Sequence, residues 1–212
     1  MKALLIIDVQ NDFMPQGALA VAGADTIVPV INQIQSYFPL VVATQDWHPP
    51  HHQSFASTHP GHDVFTNIQI QDKTQTLWPD HCIQGTEGAA FDPALNMDKV
   101  EAIFRKGTDI DKDSYSAFYD NHHQKNTGLA GFLQARGVRE LYFSGLCADI
   151  CVYYSILDAI QAQFTCTVIE DATQALDHEQ FQTIQLELIQ KKVMFVSSEQ
   201  ITGSRGQAAG RG

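Results

Sequence analysis

The chain has 212 residues, 44% of them hydrophobic and 17% charged, a composition that supports one sizeable globular domain and excludes disorder as the main state. With 13 Lys+Arg against 24 Asp+Glu the formal net charge is −11, so there is no basic footprint for nucleic acid or for an anionic membrane. The expected partner is a small molecule or another protein chain, and a homo-oligomer is compatible with this balance.

The first apolar run, Ala3 to Ile7, is interrupted by Asp8, far short of a signal core or a membrane span. A cytoplasmic location is the expectation. A helical period follows over Thr26 to Phe38, then a second apolar run over Leu40 to Thr44. From Asp46 to about Lys99 no strong period is found, but the stretch holds Trp47, Pro49-Pro50, Trp78 and many His. A segment this long without its own elements is expected to be functional.

Further runs at Val100 to Phe104, Glu140 to Ser144, Thr165 to Ile169 and Val193 to Val196 read as strands covered on both faces. Helical patterns lie at Thr127 to Arg136, Asp149 to Gln163 and His178 to Lys191. This alternation predicts an α/β fold, a doubly wound, mostly parallel six-stranded sheet with helices on both faces. One domain is expected over residues 1–200, with a long loop region at 46–99. The low-complexity segment 203–212 reads as a flexible tail.

Ligands of open α/β sheets bind beyond the carboxyl ends of the strands, so the residues following each run carry the functional reading. These are Asp8, then Asp46-Trp47-His48, then Lys106-Gly107, then Gly145 to Cys151. Cys151 falls in the first turn of a helix, where free N–H groups favour a thiolate. Cys147, four positions earlier, competes as the nucleophile, and its backbone N–H is a candidate to point into the site. Cys151, between apolar Ile150 and Val152, can also be read as a core thiol, as Cys82 and Cys166 are.

Asp8, between Ile7 and Val9, is a candidate general base with Lys106 as its counter-charge, although a purely structural ion pair fits the same residues. Asp46 and His48 share one face of an extended segment and His81 can complete a carboxylate and two-imidazole metal set. His51, His52, His59 and His62 are rival ligands. A carboxylate with two His also suits a non-haem iron oxygenase, but that leaves Cys151 and Lys106 without roles.

Taken together, Asp8-Val-Gln-Asn-Asp-Phe13, Thr44-Gln-Asp-Trp-His48, Trp78-Pro-Asp-His-Cys82, Lys106-Gly107 and Gly145-Leu-Cys-Ala-Asp-Ile-Cys151-Val152 resemble the isochorismatase-like cysteine hydrolases and, among them, the nicotinamidases. The resemblance runs from about residue 3 to residue 198. It implies a catalytic triad of Asp8, Lys106 and Cys151, and an oxyanion hole from the backbone N–H groups of Cys147 and Cys151 beside a cis peptide between Leu146 and Cys147. It implies one divalent transition metal, zinc, iron or manganese, on Asp46, His48 and His81, with no organic cofactor. It also implies a ring pocket of Phe13, Leu19, Trp78 and Tyr115, and hydrolysis of nicotinamide to nicotinate and ammonia. Another amide hydrolase of the same family is the alternative. Cys147, Ala148 and Ile150 depart from the usual family pattern, which bears on local packing.

Overall fold

The computed structural model describes residues 1–70 and 73–203. Of the segment expected as a tail, only Gly203 falls within the description; 204–212 lie outside the described residues. Six strands form one parallel sheet: β1 (Lys2–Ile7), β2 (Val41–Asp46), β5 (Val100–Lys106), β6 (Glu140–Leu146), β7 (Thr165–Gln174) and β8 (Met194–Val196). A separate antiparallel ribbon pairs β3 (Asn67–Ile70) with β4 (Lys73–Thr76). The helices are α1 (Ala24–Ile34), α2 (Leu129–Ala135), α3 (Tyr153–Gln161), α4 (His178–Gln190) and α5 (Ser198–Gly203).

The sheet order is β5-β2-β1-β6-β7-β8, so the chain builds outward from β1 in one direction and then restarts on the other side at β6. All neighbouring strands are parallel. The reversal lies between β1 and β6, and such a switch point opens a crevice at the strand ends.

The central strand shows why the sequence folds this way. Ala3 to Ile7 are fully buried, and successive side chains go to opposite faces. Leu4 and Ile6 pack with Ile27, Ile31 and Ile34 of α1 and Ile201 of α5. Ala3, Leu5 and Ile7 pack with Leu133 of α2, Ile156 of α3 and Leu188 of α4. An alternating strand would serve only one such layer, whereas this run serves two. Each fully buried Leu or Ile side chain contributes roughly 1.5–3 kcal/mol.

The edge strand β5 departs from the expectation of double coverage. Glu101, Ile103 and Arg105 are exposed, with Ile103 49% exposed, as suits a strand at the sheet edge. Two further elements were not expected. The β3–β4 ribbon is polar and short, which hides it from a reading based on apolar period. The second is α5, which begins where Ser198 caps onto Asp171 through its N–H at 2.7 Å. No helix among the described residues is long and apolar enough to cross a membrane.

Between β6 and α3 the chain makes a π-helical turn, Ala148–Val152. Asp149 inside it accepts the N–H of Leu176 at 2.9 Å and of Asp177 at 2.8 Å, fixing the β7–α4 connection over the strand ends. Asp149→Ala would leave two N–H groups without their acceptor. The expected loss is about 2–3 kcal/mol of unfolding free energy, read from urea denaturation; a loss below about 0.5 kcal/mol would remove this anchor role.

Candidate active site

Asp8 follows β1 in the left-handed backbone region, φ 47°, a conformation unusual for a residue with a side chain. Thr44 of the neighbouring strand holds it there, its hydroxyl donating to Asp8 Oδ1 at 2.7 Å and accepting the Asp8 N–H at 3.2 Å. Asp46 ends β2 and Lys106 ends β5, in register with each other. Cys147 and Cys151 follow β6, and the Leu146–Cys147 peptide is cis, as the resemblance implied.

Lys106 is the hub of this cluster. Its Nζ lies 2.9 Å from Asp8 Oδ2, 3.1 Å from Asp46 Oδ1 and 3.5 Å from Cys151 Sγ, and it donates to the Ser114 carbonyl at 2.9 Å. All of these groups are buried. An ammonium excluded from water retains its charge only where opposite charges surround it. Burial opposes the charged form of Lys106, but Asp46 and Asp8 outweigh it and hold the ammonium well above its ordinary range.

The sulfur behaves differently from the helix-terminus expectation. Burial pushes the Cys151 thiol well up, and Lys106 offsets this only in part. The resting group is therefore a thiol that needs a base. Burial also raises Asp8 above the usual carboxylate range against the pull of Lys106. Its affinity for a proton is thus increased.

Beside this cluster Asp46, His48 and His81 bring one ligand atom each to within 4.8 Å of one another. The imidazole tautomers follow from their partners, since a carbonyl can only accept. His48 Nδ1 donates to Gly107 O at 3.0 Å and His81 Nδ1 to Pro79 O at 2.8 Å. In the neutral rings both Nε2 lone pairs then point toward Asp46 Oδ2, at 3.2 and 3.6 Å. Three lone-pair donors converging in a buried site repel unless a cation lies among them. His48 Nε2 is buried without a hydrogen bond. A Cβ on Gly107 would come within 2.6 Å of His48 Nδ1 and 2.9 Å of Asp46 Oδ1, so the glycine keeps this cradle open. The residues present fit a divalent metal.

His52 is not part of that set. Its ring centroid lies 4.4 Å from that of His48 with the two planes tilted by 45°, but Nδ1 is hydrogen-bonded to Ser54 Oγ at 2.7 Å and Nε2 to Lys112 O at 3.2 Å. His51 and His62 are exposed, and His59 bonds the Gln53 carbonyl at 2.8 Å. Cys82 and Cys166 are buried free thiols, and Lys106 makes no hydrogen bond to either.

Phe13, Leu19, Trp78 and Tyr115 line one pocket whose floor is Asp46, His81, Cys147 and Cys151. Asp113, Ile150 and Leu176 complete the lining; Asp113 and Leu176 were not singled out from sequence, and Ile150 only as a departure from the family pattern. Gln10 was also missed. Its side chain accepts the Asp46 N–H at 2.7 Å and donates to the Asp46 carbonyl at 2.8 Å, fixing the metal-side strand end. The signal for Thr44 and Gln10 was their spacing of two from Asp46 and Asp8, the period of an extended chain.

The chain is 45% identical over 200 residues to a nicotinamidase of Acinetobacter baylyi, covering 94% of this chain and 94% of that protein. Among solved structures it resembles a nicotinamidase/pyrazinamidase of Acinetobacter baumanii, with a TM-score of 0.92 at 45% identity over 94% of this chain and 97% of that one. It also resembles the pyrazinamidase of Pyrococcus horikoshii in complex with zinc, with a TM-score of 0.77 at 34% identity over 92% and 98% of the two chains. Residues 2–200 match the Isochorismatase domain model, and with its parallel sheet and its buried Asp8, Lys106 and Cys151 cluster the chain belongs to that family.

Proposed function

We propose that the chain is a nicotinamidase, a metal-containing cysteine amidohydrolase converting nicotinamide to nicotinate and ammonia, with pyrazinamide as a second substrate. The observation that carries this reading is the single ammonium, Lys106 Nζ, touching both Asp8 and the sulfur of Cys151, which itself lines an aromatic pocket. The relatives named nicotinamidase support the choice of amide. The working unit is the single domain over residues 1–200. Four free, buried cysteines suit a reducing compartment such as the cytoplasm.

In this reading Asp8 takes the thiol proton while Cys151 Sγ bonds to the carboxamide carbon and the carbonyl electron pair moves onto oxygen. The backbone N–H groups of Cys147 and Cys151 receive that oxyanion, each worth about 3 kcal/mol in comparable sites. Protonated Asp8 gives its proton to the nitrogen as the C–N bond breaks and ammonia leaves. Asp8 then takes a proton from water, whose oxygen attacks the thioester. The C–S bond breaks, nicotinate departs, and the sulfur recovers the proton from Asp8. Throughout, Lys106 balances whichever of Asp8 and Cys151 is anionic. Phe13 and Trp78 favour a flat ring over an aliphatic amide.

Asp46, His48 and His81 would hold the metal, zinc being favoured by the Pyrococcus relative and by the nitrogen and carboxylate donors. When bound, it supplies Lewis acidity and a positive charge beside two buried carboxylates. His48→Ala is expected to lower bound metal at least about tenfold after reconstitution, measured by elemental analysis. Unchanged metal content would remove His48 from the ligand set.

The deciding experiment is ammonia release from nicotinamide by the purified protein, with benzamide alongside. Release from nicotinamide and much less from benzamide is expected. No ammonia from nicotinamide by metal-loaded protein would overturn the reading.

A further inference from the structure

The β3–β4 ribbon stands apart from the main sheet, and two polar strands gain little from apolar burial. Gln75 is the one residue of these two strands that is buried. Its Nε2 donates to Asp113 Oδ2 at 3.0 Å, to Tyr115 OH at 3.1 Å and to the Thr76 carbonyl at 2.8 Å. The carboxylate accepts only, so it fixes which end of the amide faces it.

Asp113 and Tyr115 are themselves part of the pocket lining. Tyr115 meets Trp78 edge-on with ring centroids 6.1 Å apart. Asp113 Oδ1 accepts the Ser114 N–H at 2.7 Å, and the Ser114 carbonyl accepts from Lys106 at 2.9 Å. The segment from 113 to 115 thus serves both the ring wall and the catalytic lysine. Its outer side is held by an amide from the ribbon.

We propose that Gln75 is a positioning residue for ring binding, and that the β3–β4 ribbon serves to deliver its amide behind Tyr115. Gln75 lines the outer face of that wall and does not line the pocket itself. Its effect therefore runs through Tyr115 and Asp113. The kinetic consequence rests on the nicotinamidase reading; the structural one does not.

Gln75→Leu keeps the volume and removes the donors. The expected result is a rise in KM for nicotinamide of about tenfold with kcat changed by less than about threefold, the pattern of lost ring binding with intact chemistry. Combined with Tyr115→Phe, the joint loss in kcat/KM should fall short of the product of the two single losses by at least about threefold, because both remove one hydrogen bond. Strictly multiplicative losses, or a fall in kcat without a rise in KM, would overturn the proposal. Amide hydrogen exchange gives an answer independent of substrate. Residues 113–116 should exchange faster in Gln75→Leu by about tenfold, and unchanged exchange there would overturn the positioning role even if wild type releases no ammonia. Should Gln75→Leu fail to fold, Gln75→Asn withdraws the same amide by one methylene and is expected to raise both KM and exchange.

Discussion

Cys151→Ala is expected to lower kcat for nicotinamide by roughly 10⁴-fold or more while nicotinate still binds, because removing a nucleophile leaves only the residual effect of the binding site. The sulfur is buried, and its contact with Lys106 Nζ at 3.5 Å puts a compensating charge beside the thiolate as it forms. Cys147 is the competing thiol and lines the same pocket. Burial first, then Asp149, raise its pKa well above the ordinary value, and no hydrogen bond from Lys106 reaches it among the described residues. Cys147→Ala keeps the backbone N–H and is expected to cost less than about tenfold. Steady-state ammonia release ranks the two variants, and mass spectrometry of quenched wild type locates the acyl group. A large loss in Cys147→Ala with turnover retained in Cys151→Ala would move the nucleophile to Cys147.

Lys106→Leu is expected to be the most destabilising change at the site. It leaves Asp8 and Asp46 buried without their shared cation, and breaking a buried pair in this way costs about 3–5 kcal/mol. Turnover should fall by at least about 10³-fold, since neither Asp8 nor the sulfur keeps a counter-charge. Urea denaturation with chelator and with added zinc separates two contributions. Zinc binds only the folded site to first approximation, so it should recover part of the lost stability in the variant. A loss below about 1 kcal/mol in chelator would show that the two carboxylates do not depend on Lys106.

Much of the architecture was legible in the order of apolar runs. All six strands of the main sheet begin within a residue or so of the runs identified by their hydrophobicity; for a central strand such as β1 this is because coverage on both faces is recorded as continuous apolar sequence. The ends were less legible. β7 extends to Gln174, well past Ile169, through Glu170 and Asp171, which are exposed and carry no apolar signal. The β3–β4 ribbon was hidden for the same reason, because the one buried side chain among the described residues of its strands, Gln75, is polar.

The same division holds at the site. By itself the sequence determined the fold class, the family and the set of reactive residues at the strand ends, because each depends on period two, period 3.6 or a motif of a few adjacent positions. Only the tertiary structure decided between partners. It set Lys106 against Asp8, Asp46 and Cys151 together, occupied both nitrogens of His52, and brought in Thr44, Gln10, Ser114, Asp113 and Gln75. Among these contacts, Lys106 and Cys151 are 45 positions apart and Asp8 and Thr44 are 36 apart. A contact of that kind is selected by how the sheet and its loops pack and by which buried polar atoms must be satisfied, and neither condition is written in any local stretch of the chain.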